Sequence, residues 1–392
     1  YKLVIKRCDR NMTTTTLANA RLITEDAEFI GSITFSEHGI IDLDEGATLP
    51  IGAIDCEGDY VCPGLIELHT DNLERHLQPR PGVQWGRKAA ILAHDRELAS
   101  IGITTVFDAL RVGSVLSDTD TTGYAKYARE TATDILSLVA SNNLKISHFL
   151  HLRAEICTDT LPDELDEFGE SDRVGLVSLM DHTPGQRQFR NIEKLREYLR
   201  GKHGFSDDEI EAHFAERVEL QARVGRKNRN IAVDFGRSVG AILASHDDTT
   251  NEDVGASVDV GVTVAEFPTT IEAAEACRSA NQSIIMGAPN VIRGGSHSGN
   301  VAATELGDSG LLDILSSDYI PASLLMGAVR LGQRQGDLVS GIRMVTSKPA
   351  DAAGLDDRGR LEVGKRADII RFCINDDLPM IGGVYARGRQ VA

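Results

Sequence analysis

The sequence predicts an α/β protein: a (β/α)8 barrel of the TIM type, carrying a small β-sandwich domain formed by both termini. Three observations predict it. Through the middle of the chain, short apolar stretches alternate with helix-patterned ones, and strand–helix alternation makes parallel strands. Eight such strands are countable, the number that closes a barrel. Both ends consist of short strands punctuated by turn-formers, with little helical patterning.

The elements follow in order. Tyr1-Lys2-Leu3-Val4-Ile5-Lys6 reads as a strand and not as a leader peptide. Arg21–Thr24, Phe29–Phe35 and Gly39–Leu43 are further strands. The first barrel strand runs to His69, followed by a helix over about 87–100. Strands then cover Thr104–Asp108, Ile146–Glu155, Val174–Met180, Ala241–Ser245, Val262–Glu266, Ser283–Gly287 and Leu312–Ser316, with a helix at about 122–142. Strand texture returns at Ala367–Phe372 and Val384–Gly388. Residues 1–58 plus 358–392 are therefore expected to form the small β domain, and 59–357 the barrel. The connection from His182 to Ala241 is too long for a simple loop. Its charged helical stretches, about 191–201 and 207–227, are expected to form a lid over the barrel mouth, an insertion spanning about 184–235. An open doubly wound sheet is the alternative fold, but it usually carries a Gly-rich turn after its first strand, and none stands there.

Composition narrows the function. There are 41 Lys and Arg against 59 Asp and Glu, a formal charge of −18, which opposes general nucleic-acid binding. An anionic substrate is still allowed, because a local basic cluster suffices. The six cysteines (Cys8, Cys56, Cys62, Cys157, Cys277, Cys373) form no C-x-x-C pair, as in reduced cytoplasmic proteins. No uninterrupted apolar run is long enough to span a membrane. The expected setting is the cytoplasm, with a small-molecule substrate and a homo-oligomeric assembly, and without nucleic acid or membrane partners.

Active sites of such barrels lie at the C-terminal ends of the strands. The residues found there are His69 and Asp71 after the first strand, Glu155 after the third, His182 after the fourth, His246 after the fifth and Asp318 after the eighth. His69 and Asp71 are two apart, so an extended strand points both to one face. Imidazole and carboxylate donors suit Zn²⁺ or Mn²⁺, and six of them would hold one or two ions and a metal-activated hydroxide. Each residue alone is weak evidence; Asp181, Asp247 and Asp248 read equally well as helix caps. The ordered set is what points to metal.

That order, H-x-[HD], Glu or Lys, His, His, Asp on a barrel with a split β domain, resembles the amidohydrolase superfamily. Gly364-Lys365-Arg366-Ala367-Asp368-Ile369-Ile370 looks like its C-terminal return. Longer segments resemble the PhnM family of the carbon–phosphorus lyase pathway: Pro63 to His76, Pro79 to Trp85, Ser245-His246-Asp247-Asp248, Ala265 to Thr270, Gly287 to Asn290, Arg293 to Asn300 and Leu315 to Pro321. The resemblance implies hydrolysis of α-D-ribose 1-methylphosphonate 5-triphosphate to the 5-phosphate and pyrophosphate, using Zn²⁺, Mn²⁺ or Fe²⁺. It also implies Asp318 as general base and Glu155 as a bridging ligand. Such a substrate asks for basic donors. Arg75, His76, Arg80, Arg87 and Lys88 follow the first strand, Arg187 follows the fourth, and Arg293 opens Gly294-Gly295-Ser296-His297 after the seventh. Glycines there admit backbone N–H groups to phosphate oxygens. The competing activity is C–N hydrolysis, by a sugar-phosphate deacetylase or a cyclic amidase, since a metal-bound hydroxide attacks carbonyl carbon and phosphorus alike.

Overall fold

The computed structural model describes residues 13–80, 82–114, 126–187, 192–296 and 299–392. The strand expected at residues 1–6, the start of the helix expected at 122–142, and His297 lie outside them. In chain order, β1 (Thr15–Ile23), β2 (Glu28–Ser36), β3 (Gly39–Glu45), β4 (Ile54–Asp55) and β5 (Tyr60–Pro63) come first. The barrel strands follow: β6 (Leu65–Thr70), β7 (Ile103–Val112), β8 (Ser147–Glu155), β9 (Val174–Met180), β10 (Ile242–His246), β11 (Val264–Glu266), β12 (Ser283–Gly287) and β13 (Ile314–Ser316). β14 (Ile369–Asn375), β15 (Leu378–Ala386) and β16 (Arg389–Gln390) complete the chain.

The terminal strands form one connected sheet in the order β16-β15-β14-β5-β1-β2-β3, with β4 also on β1. It reaches past residue 58, because β5 bridges the two termini, parallel to β1 and antiparallel to β14. Phe35 on β2 meets Tyr385 on β15 edge-to-face at 5.0 Å, although three strands separate them in the sheet order. The sheet therefore curls, and its two arms face each other as sandwich layers around Leu22, Ile33, Val61 and Ile369.

The barrel strands are parallel neighbours in strict chain order, β6 to β13. Ile66, Phe107, Leu176, Ala244, Val264, Ile285 and Ile314 cluster inside and fill its lower half. The opposite face of the strands packs under the surrounding helices, as with Val177, Leu179 and Leu243 against Ala232 and Val233. That contact makes Arg226–Ser238 an ordinary barrel helix between β9 and β10, so the insertion ends before the residue 235 expected from sequence. The inserted part is a helical hairpin, Ile192–His203 and Asp207–Leu220, with its own small core of Leu195, Leu199, Ile210 and Phe214. Ser206 and Glu209 form a reciprocal cap at the second helix, which opens the hairpin turn cleanly. A π-helical turn, Gln221–Gly225, joins the hairpin to the barrel helix, and Arg223 pairs with Asp159 beyond β8.

Between β13 and β6 the ladder shrinks to a single bridge, Thr70 with Asp318. The Asp318 carbonyl accepts from the Asp71 N–H at 2.9 Å and from Thr70 Oγ1 at 2.8 Å. Just below, the buried Glu67 carboxylate accepts from the N–H of His69 at 2.7 Å and of Ser317 at 2.6 Å. This clamp replaces the missing ladder bonds.

A second buried polar chain fixes the helix Arg87–Ser100 to β7 and β8. Asp95 accepts from the N–H groups of Lys145 (2.8 Å) and Ile146 (3.1 Å). His148 donates through Nδ1 to Asp108 (2.7 Å) and through Nε2 to Asp95 (3.3 Å). His94 donates through Nε2 to Asp108 (3.0 Å) and accepts at Nδ1 from Asn72 (3.0 Å), one residue beyond Asp71. Burial opposes the charge on His148, but Asp108 and Asp95 outweigh it and raise its pKa to about 9. Burial likewise opposes ionisation of Asp108, yet His148 and His94 hold it down at about 2. The sign follows. His148 was 6.5 before folding, so its contribution is full below that pH and is lost as pH rises through about 9. Asp108→Asn should destabilise the protein by about 3–5 kcal/mol near neutral pH. The deficit relative to wild type should shrink as urea unfolding is repeated from pH 6.5 to 9; a pH-independent deficit would refute the charged pair.

Candidate active site

The C-terminal ends of the barrel strands open into a cleft of about 160 Å³. His69, Asp71, Arg153, His182, His246, Asp247 and Asp318 line one part of it, and Phe267, Arg293, Gly295, Ser296 and Tyr319 the other. Asp247, Phe267 and Asp318 have φ values of 56°, 56° and 52°, left-handed backbone that non-glycine residues seldom adopt. All three stand just beyond β10, β11 and β13. Such backbone persists only where surroundings over-determine it, and here it aims side chains into the mouth.

Above the apolar layer lies a polar one. Glu266, at the end of β11, is fully buried; it accepts from His69 Nδ1 at 3.1 Å and from Ser178 Oγ at 2.7 Å. His151 donates through Nδ1 to the Leu68 carbonyl at 3.0 Å, and its Nε2 faces Ser178. Burial works against charge on Glu266, but the charge and hydrogen bond of His69 overcome it and hold the carboxyl well below its usual range. Burial holds His151 down at about 3, so it is neutral. The histidine rings gather around Phe267: His69 and His246 each meet it edge-on, at 5.0 and 5.2 Å, and His182 lies 6.0 Å from His246.

Each mouth histidine has its Nδ1 engaged by a carboxylate. His69 uses Glu266, His246 uses Asp247 at 2.7 Å, and His182 uses Glu155 at 2.9 Å. This fixes the ring orientation and leaves Nε2 as the donor atom, the usual arrangement behind metal-binding histidines. Two donor groups have ligand atoms within 4.8 Å of one another: His69, His246 and Glu266, and His182, His246 and Asp247. Nitrogen and carboxylate donors this close, with no thiolate, fit a divalent ion of the Zn²⁺ type.

The six residues expected as ligands are thus divided. His69, His182 and His246 enter these groups. Glu155, expected as a bridging ligand, sits behind His182 and holds it, with the Arg111 guanidinium 3.8 Å away. Burial opposes its ionisation, but His182 and Arg111 keep its pKa at about 2. Asp71 is bonded to Arg153. Asp318 lines the cleft, and burial, followed by the charge of Asp71, lifts it to about 6. Glu266 and Asp247 were not singled out as ligands from sequence. Glu266 ends a barrel strand as the others do and stood in the quoted Ala265–Thr270 segment; only the helix-cap reading of Asp247 concealed it.

The basic residues divide as well. Arg293, Gly295 and Ser296 line the cleft, and Gly294 ends the short helix before them in left-handed backbone, φ 79°. Arg187 does not line it. Its guanidinium donates to Asp248 at 2.6 Å and to the His246 carbonyl at 2.8 Å, bracing the loop after β10. Arg75 is exposed and paired with Glu97 at 2.6 Å, Lys88 stands 3.8 Å from Asp134, and Arg80 is exposed in a turn bridged to Val83. These three lie outside the cleft lining, because local carboxylates or solvent satisfy them.

Histidine and carboxylate donors at the mouth of a parallel barrel fit a metal-dependent hydrolase. The chain belongs to the amidohydrolase family, whose model matches residues 87–377. It is 41% identical over 380 residues to the alpha-D-ribose 1-methylphosphonate 5-triphosphate diphosphatase of Escherichia coli K12, covering 95% of this chain and 99% of that protein. Among solved structures, a 5-methylcytosine deaminase from Klebsiella pneumoniae shares the fold with a TM-score of 0.62 at 14% identity, over 96% of this chain and 98% of that one. An N-acetylglucosamine-6-phosphate deacetylase from Pasteurella multocida does so at 0.59 and 13%, over 96% and 99%. No helix among the described residues is long and apolar enough to cross a membrane.

Glu266→Gln keeps the shape of the side chain but removes the charge that orients His69. Zinc affinity, measured by chelator competition, should fall about 10–100-fold with circular dichroism unchanged.

Proposed function

We propose that the chain hydrolyses α-D-ribose 1-methylphosphonate 5-triphosphate to the 5-phosphate and pyrophosphate. The observation that carries this reading is the 41% identity to the E. coli diphosphatase, which runs through 95% of the chain and 99% of that enzyme. The cleft chemistry agrees with it. A water oxygen bonds to the α-phosphorus, the bond from that phosphorus to the bridging oxygen breaks, and pyrophosphate departs with the electron pair. Asp318, its carboxyl raised by burial, takes the proton from the attacking water. Arg293 and the backbone of Gly295 and Ser296 meet the charge of the triphosphate. His69, His246 and Glu266, or His182, His246 and Asp247, would hold the ion, with Zn²⁺ the first choice and Mn²⁺ or Fe²⁺ close alternatives. When bound, a divalent ion lowers the pKa of water and offsets phosphoryl charge. The reaction belongs in the cytoplasm.

Phosphorus NMR tests the reading. Zinc- or manganese-loaded protein given the triphosphate should release pyrophosphate, and His182→Asn should not. Intact triphosphate with fully metallated protein would overturn it; N-acyl sugar phosphates would then be assayed. Asp318→Asn should lower kcat by about 10²–10⁴-fold at unchanged metal content, read by the same signal with elemental analysis alongside.

A further inference from the structure

We propose that the floor of the barrel carries a second anion site, where the guanidinium groups of Arg173 and Arg387 receive a phosphate group. The floor is the end away from the cleft: β8 opens at Ser147 there and closes at Glu155 beside the mouth. Four arginines from distant stretches of the chain gather around this start of β8. Arg366 and Arg387 both donate through Nη2 to the Ser147 hydroxyl, at 2.8 and 3.0 Å. Two residues on, and so on the same face of the strand, the Phe149 ring carries Arg173 at 4.5 Å and Arg358 at 5.8 Å. Arg358 also donates to Thr105 Oγ1 at 3.0 Å, and Thr105 is the register partner of Ser147 on β7.

Carboxylates do not balance this group. Asp357 gives both of its oxygens to Arg358, at 2.6 and 3.0 Å. Asp368 accepts the Arg387 backbone N–H on one oxygen and faces Arg366 with the other, each at 2.8 Å. Four positive charges thus meet two negative ones, in a chain with 59 acidic residues to draw on. Arg358 is buried and its nitrogens are committed, so it supplies field and no open donor. Arg173 and Arg387 are exposed, and neither has a carboxylate partner among the described residues. Burial, and then the charges of Arg387 and Arg358, push the Arg173 pKa down, as crowded like charges should. An oxyanion removes that repulsion. A guanidinium offers planar, forked donors that match phosphoryl oxygens, and it is charged at every working pH. Arg173 stands just before β9 and Arg387 just after β15, so a phosphate held by both ties the terminal sheet to the barrel. The site does not depend on how the cleft is read.

The test uses metal-loaded wild type, Arg173→Gln, Arg387→Gln, the double variant and, as a control in the cleft, Arg293→Gln. Inorganic phosphate and ribose 5-phosphate are titrated by calorimetry at an ionic strength fixed with chloride; the tighter of the two names the source of the phosphate group. Each single floor variant should bind at least about 10-fold more weakly than wild type, the loss of one charge-assisted hydrogen bond. Arg293→Gln should keep the floor binding. Melting is followed alongside. Phosphate should raise the melting temperature of wild type by mass action and that of the double variant much less. In chloride alone the double variant should melt at or above wild type, because repulsion is relieved. Equal phosphate affinity in wild type and both single variants would overturn the proposal, as would chloride raising the melting temperature as much as phosphate at equal ionic strength. A double variant that melts lower in chloride yet keeps the phosphate-dependent rise would make the four arginines structural bracing alone.

Discussion

The site depends on how the last barrel strand meets the first. A parallel barrel closes only if β13 joins β6, and here that seam holds one bridge where a ladder would normally run. The closure is made by Asp318's own backbone and by the Glu67 carboxylate gripping the N–H groups of His69 and Ser317. The atoms that shut the barrel thus belong to, or touch, the residues that face the cleft. A shift at the seam would move His69 relative to Asp318 directly. Burial raises Glu67 to about 7, a cost the fold bears to hold two N–H groups for which no strand partner is available.

Above the seam the same device recurs three times: a carboxylate holds the inner nitrogen of a histidine and thereby presents the outer one. The carboxylates come from different strands, Glu266 from β11, Asp247 just past β10 and Glu155 from β8. The mouth is therefore a cross-braced ring, and its preorganisation is shared among strands. Left-handed backbone at Asp247 and Asp318 fits this picture, since only a braced loop keeps such conformations.

Much of this was legible in the sequence. The eight barrel strands appear where alternation places them, because each has an apolar core-facing set and a turn signal at its end. The three histidines were legible for the same reason: they end strands. What was not legible is which carboxylate braces which histidine, since Glu155 and Glu266 end strands alike and differ only in what their neighbours offer. Basic residues were harder still. Arg75, Lys88 and Arg187 are near the mouth in sequence, but Glu97, Asp134 and Asp248 claim them, and ion pairing across elements leaves no local pattern. Arg226–Ser238 was read into the lid because its charged face hid an apolar edge of Ala232 and Val233.

The route of the chain through the terminal sheet also has a consequence for biosynthesis. β5 lies between β1, made at the start, and β14, made among the last strands. Until β14 leaves the ribosome, one edge of β5 carries unmatched N–H and C=O groups, and Cys62 and Val61 lack the neighbours that β14 brings. The nascent sheet must wait through the synthesis of the whole barrel with that edge open. Long-range pairing of this kind slows folding and leaves an edge on which other chains can nucleate. The amino-terminal strands are thus the first made and among the last secured.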